Sequence, residues 1–529
     1  MNGPNQGNDI GNLSSGSVVS VGKFYRNGIW NHDVTIIKYS TDGSLLNEYY
    51  LDFYNDSLRD EGVKIKVLND FIYVLVAAQY YTTPGVTEGN IGVIKLDSNL
   101  NLVNQFSFNS DPGIEEMPID MGLDQSGNVY VIGWAERPAT GRDFVFIKLD
   151  QNLNFIFSKY NSSPGNYSDE PSEIAVEANG VCNIVGTKNS LAKGSQISVL
   201  KYWGNGVLLW QKTYDIKTNQ ALDDLGHYVT FDPSNGDVFV AGVGQTSLGG
   251  YNEWIVLRYD AIDGSRKWIK RMTASNKSFY PRGLEYYNLG ALYICGAIGS
   301  IASNNVDLQV RKLDPSNGNV LWNRTFDGIA TGIEDNDRLS SMLVSPSEEI
   351  FLMGSTDDGY FNGSNVFHLV LKYNSSGNLI WSSKLHAGFP IHAGWTAEHA
   401  TYHAGSQSLY VSGTRYASPS IIWTTTKYST ALPVVDETYS NRSLQASTNY
   451  SKKGELNIYP NPADQFFYLR LDEEREGQLV ITDLSGKIVY QRSNVVMPFE
   501  VISGDWSSGV YFVTFNCGDR IYKEKVIKN

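Results

Sequence analysis

Four of the seven histidines crowd into one stretch, "KLHAGFPIHAGWTAEHATYHAG" (384–405): His386, His392, His399 and His403. Glu398, Trp395 and Tyr402 lie among them. Imidazoles beside a carboxylate are the side-chain types that ligate a transition metal or move a proton near neutral pH. His392, His399, His403 and Glu398 are therefore the candidate catalytic residues, and Trp395, Tyr402 and His386 the candidate ligand-binding ones. The spacing fits no zinc motif. His399 and His403 share one face of a strand, but four residues of strand separate them by roughly 13 Å, too far for the pair alone to grip one ion. A plainer explanation competes with the functional one, because a long connecting segment tolerates variation.

A second pattern is made of acids. Asp60, Glu116, Asp169, Asp224 and Asp337 each stand five positions before the first core residue of a recurring strand, and Asp9 sits in the corresponding N-terminal stretch. Phe279 and Thr396 replace the acid in two units. A ring of carboxylates could hold Ca²⁺, the one cofactor these residues suggest. Regular repetition favours a different role, a turn residue accepting backbone N–H groups in every unit.

The elements that must position these residues are repeats. "VTIIKYSTDGSLL" (34–46) returns as "IGVIKLDSNLNLV" (91–103), "FVFIKLDQNLNFI" (144–156), "ISVLKYWGNGVLLW" (197–210), "WIVLRYDAIDGSRKW" (254–268), "LQVRKLDPSNGNVLW" (308–322) and "HLVLKYNSSGNLIW" (368–381), with a last copy, "IIWTTTKYST", at 421–430. Each carries an anchoring base: Lys38, Lys95, Lys148, Lys201, Arg258, Lys312, Lys372 and Lys427. Between them runs a second pattern, "GNVYVIGW" (127–134), "GDVFVAGV" (236–243), "GALYICGA" (290–297) and "QSLYVSGT" (407–414), opening with "GSVVSVGK" (16–23). Each unit thus holds four short strands joined by Asp/Asn/Gly turns, the signature of a β-propeller of four-stranded blades. Eight anchors favour eight blades, with seven plus spare end strands as the alternative. The chain begins with the last two strands of a unit and ends with the first, so 10–24 and 421–430 are expected to complete one sheet and close the ring. Trp210, Trp268, Trp322 and Trp381 share one repeat position with Asn47, Asn104 and Phe157, which reads as packing between blades.

Composition sets the bounds. With 41% hydrophobic and 19% charged residues, 50 Gly and 33 Tyr, the chain suits a turn-rich all-β protein. A net charge of −14 argues against nucleic acid or an anionic membrane as partner. Cys182, Cys295 and Cys517 are far apart and odd in number, so they form no disulfide framework or zinc cluster. No apolar run is long enough for a transmembrane helix. "MNGPNQGNDIGN" lacks the basic and apolar regions of a secretory signal, so a processed or shifted start is expected.

Residues 431–454, rich in Ser, Asn and Thr without periodicity, read as a linker between 1–430 and 455–529. The last segment alternates "LNIYPNPADQFFYLRL", "GQLVITDLSGKIVYQ" and "SSGVYFVTFN", the pattern of a small immunoglobulin-like β-sandwich.

On these patterns residues 2–430 resemble the seven-bladed β-propeller repeat family of bacterial secreted proteins. Residues 455–529 resemble the type A C-terminal sorting domain of the type IX secretion system. The motifs that carry the second resemblance are Tyr459-Pro460-Asn461-Pro462, Asp483 to Lys487 with Gly486, Trp506, Gly509, Tyr511 and the closing Lys525 to Lys528. It implies a Bacteroidota-type host, export by the type IX machinery, anchoring at the outer membrane or release, and a separate inner-membrane signal. No sialidase box, vicinal cysteine pair, Gly-x-Ser-x-Gly, His-Glu-x-x-His or P-loop is present. The resulting expectation is a secreted or cell-surface propeller that binds a protein or glycan without catalysis. The alternative is a polysaccharide lyase or glycoside hydrolase using the histidine cluster.

Overall fold

The computed structural model describes residues 6–25, 32–54, 58–83, 86–111, 113–163, 165, 167–216, 222–245, 247, 250–274, 276–287, 290–299, 306–328, 337–357, 366–386, 397–417, 420–429, 435–438, 456–459, 466–470, 475–496, 499–503, 506–518 and 520–528. They divide into two units, Met1–Asn441 and Arg442–Asn529.

The first unit is a β-propeller of eight four-stranded antiparallel sheets, each built from four strands consecutive in sequence. The inner strands are Gln6–Asn12, Asp60–Leu68, Glu116–Leu123, Glu170–Val176, Leu222–Phe231, Ser278–Tyr287, Arg338–Val344 and Ala397–His403. Each packs against the inner strand of the next sheet, and the eighth packs against the first, so they enclose a central channel. A two-residue parallel bridge, Gly194–Leu222 and Ser195–Asp223, also links the fourth sheet to the fifth.

The apolar cores lie between neighbouring sheets. Val19, Val21, Val34 and Ile36 of the first sheet meet Ile65, Ile72, Val74 and Val76 of the second. The ring closes the same way, with Ile10, Val18, Ile37 and Tyr39 against Tyr410 and Trp423. The closure expected from the sequence is therefore corrected. Val18–Tyr25 pairs with His32–Tyr39 in its own sheet, and Ser420–Ser429 belongs to another. The eighth outer strand is Val435–Thr438, which extends the last sheet into the segment read as a linker. A local hairpin costs less loop entropy than pairing the two chain ends.

The anchoring bases clip each sheet to the next. Lys38 Nζ donates to the Ser98 carbonyl (2.6 Å), Lys95 to Gln151 (2.7 Å), Lys148 to Gly204 (2.6 Å) and Arg258 to Pro315 (2.8 Å). Lys427 closes the circle on Thr41 (2.7 Å). Across the strand pair from these bases stand the tryptophans, whose indole N–H groups also reach the next sheet: Trp210 to Ala261, Trp268 to Pro315 and Trp322 to Ser375.

The second unit packs a three-stranded sheet with a four-stranded one around Phe467, Leu469, Leu479, Ile481, Val513 and Phe515.

Candidate functional site

Every inner strand is interrupted at one register point by a β-bulge. The residue before it is Gly7, Gly62, Pro118, Pro171, Gly226, Pro281, Leu339 or Ala397, mostly types that favour a broken ladder. The glycine that ends the repeated "VYVIG" pattern lies opposite. A Cβ on Gly133 would stand 2.3 Å from the Met117 carbonyl, and one on Gly296 2.1 Å from that of Tyr280. The glycine repeats because the bulged backbone crowds it.

The bulge re-aims the residue that follows. Around the ring that position holds Asp9, Lys64, Asp120, Glu173, Tyr228, Gly283, Ser341 and His399. Lys66 and Glu285 lie two residues further along their strands, and His227 and Arg282 are bulge residues themselves.

The acids hold neighbouring inner strands together. The Ile65 N–H donates to Asp9 Oδ2 (3.0 Å), Ile174 to Asp120 Oδ2 (3.1 Å), Val229 to Glu173 Oε2 (2.6 Å) and Val344 to Glu285 Oε2 (3.0 Å). Burial, with Asp120 adding to it, pushes Glu173 up to about 8, and burial pushes Glu285 up to about 7. Burial would raise Asp9 too, but Lys64, His399 and Lys66 outweigh it and lower its pKa. Burial would lower Lys64, but Asp9, Asp120 and Glu173 together raise it, so it stays protonated. His399 Nδ1 lies 4.0 Å from Asp9 Oδ1. Burial and then Lys64 bring His399 down to about 4, while burial and then Arg282 do the same to His227. Both imidazoles are neutral at physiological pH.

The histidine cluster predicted from the sequence does not form one site among the described residues. His399 lies beside Asp9 of the neighbouring inner strand. His403 turns into its own hairpin, with Nδ1 2.9 Å from Ser406 Oγ and accepting the Ser406 N–H at 3.1 Å. Tyr402 packs on Phe351 of the seventh sheet, ring centroids 6.1 Å apart. His392 and Trp395 lie outside the described residues, as do the side chains of His386 and Glu398.

The recurring acids do not converge on one ion either. Each is buried at a separate junction between sheets, where it ties the end of one outer strand to the next inner strand. Asp60 accepts from the N–H groups of Phe53 (2.6 Å) and Gln79 (3.2 Å), Glu116 from Ser110 (2.7 Å), Asp169 from Ser163 and Asn189, Asp224 from Ile216 (2.5 Å), and Asp337 from Gly328 (2.8 Å). Among the described residues no group of three His, Cys, Asp or Glu side chains is placed to hold a metal. Asp9 is not the equivalent of this set. It occupies the channel position, four residues further along the unit.

The channel position went unread in the sequence. Its signal was there: an ionisable residue beside the apolar core residue of most inner strands, as in "VKIKV" and "PIDMG", with a different type in nearly every copy.

In the second unit Asp483 shapes its turn by accepting from the N–H groups of Ser485 (2.8 Å) and Lys487 (3.0 Å), with Gly486 at a φ of 83°. Tyr511 packs on Trp506 (4.9 Å) and donates to the Ser507 carbonyl (2.7 Å). Gly509 opens the strand Gly509–Asn516, and Lys528 ends the last one. Tyr459 ends the strand Asn457–Tyr459, while Pro460, Asn461 and Pro462 lie outside the described residues. The described motif residues build turns, strand ends and core.

Fold and site together define an eight-bladed β-propeller, with a charged channel, that carries a small C-terminal β-sandwich. Residues 457–529 match the secretion system C-terminal sorting domain family, and this segment is a sorting domain of that kind. Such a domain marks its carrier for the cell surface or beyond. No curated protein matches the chain. Similar solved structures include PorZ, a surface component of the type-IX secretion system of Porphyromonas gingivalis, at 11% identity over 98% of this chain and 73% of that one, TM-score 0.33. The β-propeller domain of the Trilobed protease from Pyrococcus furiosus gives 8%, 73%, 97% and 0.40. The polysaccharide lyase Uly1 gives 9%, 68%, 88% and 0.41. No helix is long and apolar enough to cross a membrane among the described residues.

Proposed function

We propose that the exported chain is a non-catalytic binding protein of the cell surface and that its central channel takes the ligand. One observation carries this reading. The position after the inner-strand bulge differs in nearly every sheet and is mostly ionisable, whereas the positions that build the sheets recur. Repeats keep what the fold needs, and local rules fail where another demand acts. The described histidines support no shared catalytic constellation, since His399 and His403 serve different neighbours.

An array of soluble glycans and peptides tests the reading. Hits of the wild type should be lost in a Lys66→Ala, Arg282→Ala double variant, because both side chains are exposed at the inner strands. They should survive Ile262→Ser, in an outer turn. Hits that persist in the folded double variant would place binding elsewhere.

A further inference from the structure

We propose that the channel holds a carboxylate-bearing ligand on Lys64 and Lys66, a proposal that rests on reading the channel as the binding site. The two lysines lie two residues apart on one inner strand, so their side chains leave the same face about 7 Å apart. Neither makes a hydrogen bond or close ion pair with any described residue. Lys64 is enclosed by the ring yet partly open to the channel, and Lys66 is exposed. Asp9, Asp120 and Glu173 keep Lys64 protonated, and its N–H groups, which donate to no described residue, can take a bound carboxylate.

The nearby acids are occupied differently. Asp9, Asp120, Glu173 and Glu285 each spend one oxygen on a backbone N–H of the next sheet. Those oxygens are spent on the scaffold, whereas the lysine N–H groups donate to no described residue. Protonation tilts the balance further. Glu173, at about 8, is mostly neutral at pH 7, and Glu285, at about 7, is half neutral. Lys64, Lys66 and Arg282 are three basic groups on the inner strands of a protein whose net charge is −14. Tyr228, Thr230, Ser341 and Thr401 add hydroxyl groups on other inner strands, which suit a ligand that carries hydroxyls beside its carboxylates. Carboxylates rather than a single small ion fit two cationic points on one strand.

Isothermal titration calorimetry on the full chain separates the sources of such a carboxylate. Citrate represents a free organic acid, trigalacturonate an acidic saccharide, and galactose is the neutral control. At least one carboxylate probe should bind saturably, with affinity that falls as NaCl rises. Its Kd should increase at least tenfold in Lys64→Gln, Lys66→Gln and stay unchanged in Lys193→Gln, an exposed turn lysine. Binding of trigalacturonate alone assigns the saccharide, and binding of citrate as well assigns the carboxylate itself. If the double variant does not fold, Lys66→Gln alone, at an exposed position, should still weaken binding severalfold. The proposal is overturned if neither probe binds, or if binding ignores the lysines. Should array hits be neutral and still depend on Arg282, the channel reading stands and only this inference fails.

Discussion

Carboxylates do two jobs in this molecule, and position decides which. Asp169 sits at the start of an inner strand, fully buried, and gathers the N–H groups of Ser163 and Asn189. Asp169→Ala strands those donors and should cost about 1–3 kcal/mol in urea unfolding. Adding EDTA should leave the unfolding temperature unchanged, and a chelator-sensitive transition would return these acids to an ion-binding role. Glu173 is the other kind. Its folded pKa, raised by burial and Asp120 to about 8, means that the folded state keeps a proton the unfolded chain has already lost above the ordinary carboxyl range. That contribution to stability is full below the unfolded pKa and disappears as pH rises through about 8. Glu173→Gln cannot ionise and still offers Val229 an acceptor. The variant should match the wild type near pH 5 and exceed it at pH 8, and equal stability at both would contradict the raised pKa. The recurring acids were legible as turn-type acceptors because they repeat. The channel position was missed because its residues do not repeat, and the eye follows the apolar residue beside them.

At the scale of elements, the sheets were readable and their closure was not. Anchoring bases, turns and the paired glycine recur because the same contact is made at each junction, such as Lys38 to Ser98 and Lys95 to Gln151. Val435–Thr438 escaped notice because it is an outer strand, and an edge strand does not require a run of apolar residues. Its pairing, with Lys427 opposite Asp436, leaves no periodic signal in a polar segment. Closure then rests on packing between the eighth and first sheets, where Trp423 is almost fully buried. Trp423→Ala should cost about 3–5 kcal/mol. Lys427→Met, which removes one hydrogen bond to Thr41, should cost about 1 kcal/mol. Denaturant melts of the two variants check the order, and a larger loss for Lys427→Met would contradict closure by packing.

For the whole molecule, the address was easier to read than the activity. The sorting domain announces itself through Asp483, Gly486, Trp506 and Tyr511, which must sit at fixed places to make one turn and one core. A chain ending at Asn441 should keep the propeller's unfolding transition, and 442–529 should melt cooperatively by itself, since each unit has its own core. Calorimetry of the two pieces checks this, and loss of either transition would join the units energetically. The ligand was not legible, because on the proposed reading recognition is written in single residues spread over eight sheets rather than in a motif. The most direct test of the channel as the functional site is therefore hydrogen exchange on the full chain with and without a ligand taken from the array. Protection should fall on the inner strands around Lys64–Lys66, Glu173–Ala175, Arg282–Glu285 and His399–Thr401. Protection confined to the outer strands or turns, with the inner strands unchanged, would contradict it.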